Sequence, residues 1–270
     1  MAMLFLDFDD GFKSVYNARN AKGELIISEE ERKKIIVIPF HKERIVPLTF
    51  VTDLKTSTAP AFAGEAVKLM NKYNTIINQL GIDGTYEKQP IKTLVIDSLT
   101  SVIRVWKEAV LSVNSIPSLR IPDFGTLEHV LFNQFIQALK TLINIGMVRY
   151  VVVIDHIVSE KDEVTGAITE FPLATSVAQG KVLGNAVDDI WLQREEGVGN
   201  FVWRTRKAGL FQAGSRLHLP DPLKADFKVL EEYMKKVNPT ANPVVHPMLV
   251  IVVGIYKTGK TISACTFPKE

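Results

Sequence analysis

The sequence predicts an α/β fold built on a doubly wound, mostly parallel sheet. Three observations predict it. Apolar runs of strand length recur at Leu4–Phe8, Thr93–Ile96, Tyr150–Ile154 and Leu249–Val253, as expected of strands buried on both faces. Segments with apolar residues at helical spacing lie between them. The last run leads directly into Gly254-Ile255-Tyr256-Lys257-Thr258-Gly259-Lys260-Thr261. That is the complete G-x-x-x-x-G-K-[ST] spacing of a phosphate-binding strand–loop–helix.

Composition narrows the class. A chain of 270 residues, 46% hydrophobic and 23% charged, has the balance of a globular domain. The net charge of +2 leaves any nucleic-acid contact to local loops rather than to a basic body. The single cysteine, Cys265, excludes an intrachain disulfide and fits a reducing compartment. No apolar run approaches the length of a membrane span. The start, MAMLFLDFDD, is acidic and lacks the basic opening of a signal peptide. The expectation is a cytoplasmic protein with no membrane partner and one domain over 1–270.

In chain order, Leu4–Phe8 predicts a strand that exits into Asp7, Asp9, Asp10 and Gly11. Acids at that end of an open α/β sheet either take part in chemistry or solvate the exit. Residues 12–34 read as polar and irregular. The runs Ile35–Ile38 and Ile45–Phe50, with Pro39 and Pro47 beside them, read as a peripheral β-hairpin. Phe62, Ala66, Leu69, Met70, Tyr73, Ile76, Ile77 and Leu80 predict a helix stopping at Gly81. The next strand ends Asp97-Ser98, where an aspartate can orient Mg²⁺ beside a phosphate loop. A helix follows through Val113, then a loop carrying Arg120, then helical spacing from Leu127 to Ile145.

The strand Tyr150–Ile154 ends Asp155-His156. His156 reads either as a γ-phosphate sensor or as a satisfied loop histidine. Residues 158–180 read as a long polar loop, functional or mobile, in which Lys161 is a candidate base. Strands are expected at Val187–Leu192 and Phe201–Arg206. Lys207 and Arg216 flank a turn, AGLFQAGS, and either reach a neighbouring subunit's phosphate or are ordinary surface charges. A last helix spans roughly Lys224–Lys236. The Pro- and Asn-rich stretch 238–247 reads as a linker into 248–270, the phosphate-loop strand, loop and helix. The other histidines, His41, His129, His218 and His246, show no metal-ligand spacing.

Each residue of the loop has a physical task. Glycines let successive N–H groups converge on one anion. Lys260 is placed to bring charge to the β- and γ-phosphates, Thr261 to offer its hydroxyl to Mg²⁺, and the following turn, Ile262 included, to aim N–H groups at phosphate. The position is unusual, because the partner acids precede the loop. Joined end to start, VIVVGIYKTGKTISACTFPKE and MAMLFLDFDDGFKSV make one strand–loop–helix–strand unit.

Through GIYKTGKT and ACTFP, LFLDFDDGFKSV, TLVIDSLTS, VVVIDHI and RKAGLFQAGSRL, the chain resembles the RecA-like P-loop ATPases. It is most similar to the phage-encoded single-strand-annealing or recombination ATPases. The resemblance spans nearly the whole chain in rotated order, so the chain looks circularly permuted, with 238–247 joining the original ends. By resemblance, Gly254 to Ile262 hold ATP and Thr261 and Asp97 hold Mg²⁺. Asp9 stands at the catalytic glutamate that polarises water, and His156 at the γ-phosphate sensor. Lys207 and Arg216 match bases acting across a subunit interface. Arg120 and Lys161 mark the two DNA-binding loops. The resemblance implies an oligomeric ATPase, ring or filament, acting on single-stranded DNA with an annealing or single-strand-binding protein as a further partner. Two alternatives stand beside it: a helicase-type motor on the same fold, and a nucleotide-binding switch without turnover.

Overall fold

In the computed structural model, which describes residues 1–19, 23–43, 60–116, 118–197, 200–206, 211, 213–237, 247–254 and 259–269, the apolar runs become neighbouring strands. The first half contains β1 (Ala2–Asp7), α1 (Lys13–Asn17), α2 (Glu29–Lys33), β2 (Ile35–Pro39), α3 (Pro60–Asp83), β3 (Thr85–Tyr86), β4 (Gln89–Asp97) and α4 (Leu99–Val113). Then come α5 (Ile121–His129), a π-helical stretch Val130–Ile136, α6 (Gln137–Asn144), β5 (Tyr150–Lys161), β6 (Ile168–Pro172) and α7 (Val177–Ala186). The rest is β7 (Asp189–Glu195), β8 (Phe201–Arg204), β9 (Gly214–Ser215), β10 (Leu223–Lys224), α8 (Phe227–Val237), β11 (Met248–Gly254) and α9 (Lys260–Ala264).

The sheet order is β10-β8-β7-β11-β5-β4-β1-β2, with the short strands β3, β6 and β9 pairing to its members. From β7 through β2 the pairs are parallel. β11 lies inside the sheet, bonded on one edge to β5 and on the other to β7, and every residue in it is buried. Residue alternation along each strand supplies two cores. Leu4, Leu6, Leu94, Ile96, Val151, Val153, Leu249 and Ile251 face the α3, α4 and α6 side. Met3, Phe5, Val95, Val152, Ile154, Val250 and Val252 face the α8 and α9 side. Both faces are therefore covered by helices, which is why the strands read as unbroken apolar runs.

The short α9 is anchored by the residues at and after its C-terminal end. Ala264, Cys265 and Phe267 are fully buried, and Phe267 packs on Tyr150, Trp191 and Phe227. Burying one such phenyl ring contributes about 2–3 kcal/mol. The carbonyl of Pro268 accepts a 2.5 Å bond from Thr93 Oγ1, and Thr93 is the register partner of Met3. The segment after α9 thus lies beside the beginning of β1.

Several expectations are corrected. Ile35–Pro39 joins the main sheet as a parallel strand on β1, and its alternation buries Ile35 and Ile38 against opposite cores. The other arm of the expected hairpin, 45–50, lies outside the described residues, as do 238–246 of the linker. Residues 12–34 are not wholly irregular. Ser28 and Glu31 form a reciprocal capping box that starts α2. Residues 158–180 are not one long loop. β5 continues to Lys161, turns at Asp162, and returns as antiparallel β6, followed by α7 with Ser176 as its cap. The helix expected from Leu127 begins at Ile121, where Pro122 suits a first turn.

Candidate functional site

The strand ends set the site. Parallel register places Asp7 beside Asp97, Asp97 beside Ile154, and Asp155 and His156 beside Val253 and Gly254. Four strands therefore deliver their polar ends to one edge of the sheet. Asp97 alternates with Ile96 and so points to the α9 face, where Val95 also lies.

There Thr261 Oγ1 donates to Asp97 Oδ2 at 2.6 Å. Lys260 is buried, and its Nζ donates to the carbonyl of Gly254 at 2.9 Å. Gly259 enters α9 with φ +68°, a left-handed conformation that suits glycine. A Cβ there would also press on the Phe201 ring at 3.0 Å. Gly11 comes close as well: a Cβ on it would overlap Asp97 Oδ2 and stand 3.0 Å from Thr261 Oγ1. Asp7 holds this turn, accepting from the Gly11 N–H at 2.9 Å.

Asp9 accepts from Ser98 Oγ at 2.5 Å and from Ser101 Oγ. Both serines belong to the start of α4, next to Asp97. Thr100, between them, lies 2.8 Å from Asp155 Oδ1 and 2.9 Å from His156 Nδ1. Asp9, Asp97, His156, Gly259, Lys260, Thr261 and Ile262 all line one cavity of about 360 Å³. Ile255, Tyr256, Lys257 and Thr258 lie outside the described residues, and so does Lys207.

The electrostatics follow from burial in a cluster of acids. Burial raises Asp97 to about 7; the Asp9 and Asp7 charges push the same way, while Thr261 and Lys260 oppose. Burial lowers Lys260, and Asp97, Asp155 and Asp9 pull it back. Burial and the nearby Lys260 lower His156, against Asp9. Hard oxygen donors, one hydroxyl and one carboxylate in contact, match what Mg²⁺ takes. A buried acid this short of positive charge suits a cation. The residues present fit the ion.

Three predicted residues stand elsewhere. Arg216 is exposed beside β9, 3.3 Å from Asp188 Oδ1, and lines a separate cavity of about 630 Å³ with Lys181 and Glu170. That cavity is larger, but its cations, Lys181 and Arg216, are paired with Glu160 and Asp188, whereas polar groups converge at the smaller one. Arg120 caps α5 and pairs with Asp123 at 3.1 Å. Lys161 is exposed at the end of β5. Sequence reasoning missed Gly11, Ser98, Thr100, Ser101, Asp155 and Phe201 as site residues. Their signal was adjacency to strand ends. Only Ser98 and Asp155 carried it visibly.

One further cluster gathers His41, Asp7, Asp10 and Lys13 at the exit of β1. His41 places Nδ1 3.7 Å from Asp7 Oδ2 and Nε2 3.0 Å from Asp10 Oδ1, and Lys13 pairs with Asp10. Among the described residues no helix is long and apolar enough to cross a membrane.

No curated protein matches the chain. A family model described as an AAA domain matches residues 2–217. The matched region carries Asp9, Asp97 and His156; the phosphate-loop motif follows it in the chain, and its Thr261 bonds to Asp97. By that match, and by the geometry of Lys260 and Thr261, the chain belongs to the AAA domain family of P-loop ATPases.

Proposed function

We propose that the protein hydrolyses ATP and acts on single-stranded DNA as a homo-oligomer, in phage recombination or annealing. The observation that carries the nucleotide part is the Thr261–Asp97 contact with buried Lys260 in one cavity. Gly254 to Ile262 would bind the phosphates, with Lys260 giving up its bond to Gly254 for them. Thr261 and Asp97 would hold Mg²⁺, which when bound spreads the charge that develops on the transferred phosphoryl group. Asp9 would take a proton from water as the water oxygen bonds to the γ-phosphorus and the bond to the β–γ bridging oxygen breaks, leaving ADP and phosphate.

The DNA part is supported by the RecA-like resemblance and by two exposed bases, Arg120 at the start of α5 and Lys161 at the end of β5. Arg216 lies outside the cavity that holds Lys260 and Thr261, so a role in catalysis would be in a neighbour's site. Lys207 is proposed beside it on sequence alone. The rotated order of elements is supported by the interior position of β11 and by Pro268 lying against Thr93, next to Met3. One observation favours a switch without turnover: both Asp9 oxygens are engaged by serines. The test is ATP hydrolysis with and without single-stranded DNA. Stimulation by DNA, lost at high salt, supports the reading. Hydrolysis indifferent to DNA removes the DNA partner, and ATP binding without hydrolysis leaves the switch.

A further inference from the structure

Thr100 has one hydroxyl hydrogen and two partners, Asp155 Oδ1 at 2.8 Å and His156 Nδ1 at 2.9 Å. If Asp155 is ionised, Thr100 donates to it, and His156 must donate to Thr100 from Nδ1. If Asp155 is neutral and protonated on Oδ1, it donates to Thr100. Thr100 then donates to His156 Nδ1, and the ring keeps its hydrogen on Nε2. A proton on Oδ2 instead would be a buried donor with nothing to receive it.

The surroundings select the second arrangement. Asp155 is completely buried, and its Oδ2 has no hydrogen-bond partner. A charged oxygen so placed costs far more than a carbonyl oxygen. Burial raises Asp155 to about 8, although the Thr100 hydroxyl, the backbone N–H of His156, Lys260 and the backbone N–H of Thr100 oppose the rise. The charged groups acting on His156 are Lys260 and Asp9; burial and Lys260 prevail, which keeps the ring neutral and makes its tautomer matter.

We propose that Thr100 is a positioning residue that fixes His156 as the Nε2–H tautomer, so that the ring enters the cavity as a hydrogen-bond donor. The inference rests on reading the cavity as a nucleoside triphosphate site. A terminal phosphate offers only acceptors, so a histidine that distinguishes triphosphate from diphosphate must donate. The relay from Asp155 through Thr100 supplies that donor without a charge on the ring.

The test is ¹⁵N NMR of the imidazoles in the full chain at neutral pH, with His156→Gln to assign the signal. His156 Nδ1 is expected to be unprotonated in the natural chain and in Thr100→Ser. In Thr100→Val, which keeps shape and loses the hydroxyl, the ring should become a mixture of tautomers. The preference for ATP over ADP in binding should fall about three- to tenfold in Thr100→Val, the range of one neutral hydrogen bond, and return in Thr100→Ser. A natural chain protonated at Nδ1, or a Thr100→Val spectrum with the natural tautomer, overturns the proposal. If Thr100→Val does not fold, the natural and serine spectra still decide it. The spectra need no nucleotide. Natural ATP binding by Lys260→Ala would therefore overturn the site reading separately.

Discussion

Thr261 Oγ1 lies 2.6 Å from Asp97 Oδ2, although 164 positions separate them in the chain. The contact is made by topology. β11 sits two strands from β4, with β5 between, and α9 crosses back over that gap on the face to which Asp97 points.

Gly11 permits this contact. A methyl group at Gly11 would overlap Asp97 Oδ2 and press on Thr261. Gly11→Ala is expected to fold, by circular dichroism, and to bind Mg²⁺-ATP roughly 10–100-fold more weakly, as when the support of a metal ligand is displaced. Titration calorimetry with and without Mg²⁺ reads the difference.

Gly259→Ala tests the entry to α9. The new side chain would take φ +68° and meet the Phe201 ring. The left-handed conformation alone costs about 1–2 kcal/mol. Denaturant unfolding should show at least that loss.

Asp9→Asn separates catalyst from switch. Asparagine keeps the carbonyl that Ser98 or Ser101 can use and cannot take the proton. Hydrolysis is expected to fall by about 10²–10⁴-fold, the usual weight of a general base, with ATP binding retained. A turnover equal to the natural chain's would remove Asp9 from the mechanism.

Asp189 gives a pH dependence away from the site. Burial, aided by Asp188, raises it from 3.8 to about 6, against the Arg216 and Ser215 hydrogen bonds. The folded state holds this proton more tightly than the unfolded chain. Its contribution to stability is therefore greatest below about pH 4, falls as pH rises to 6, and is constant above. Asp189→Asn should be more stable than the natural chain by on the order of 3 kcal/mol above pH 7, and the gap should close near pH 4. Thermal unfolding across that range measures it.

Much of the fold was legible in the sequence, for physical reasons. Strands buried on both faces leave unbroken apolar runs, so β1, β4, β5 and β11 were visible. The loop motif and Asp97 carried fixed spacing. The parallel pairing of Ile35–Ile38 with β1 was not legible, because a strand's local composition does not say which strand lies beside it. The 158–172 hairpin was missed because its polar, exposed tip hides the alternation. Thr100 and Gly11 were invisible for another reason. Their roles depend on which strands are neighbours, and sheet order is not written in any one segment.

Calorimetric titration of ATP with Mg²⁺ into the natural chain and Lys260→Ala tests the nucleotide site most directly. One site per chain is expected in the natural protein, weakened without Mg²⁺ and lost in Lys260→Ala, which removes the ammonium now bonded to Gly254. Equal ATP affinity in both proteins would show that the cavity formed by Lys260, Thr261 and Asp97 is not the nucleotide site.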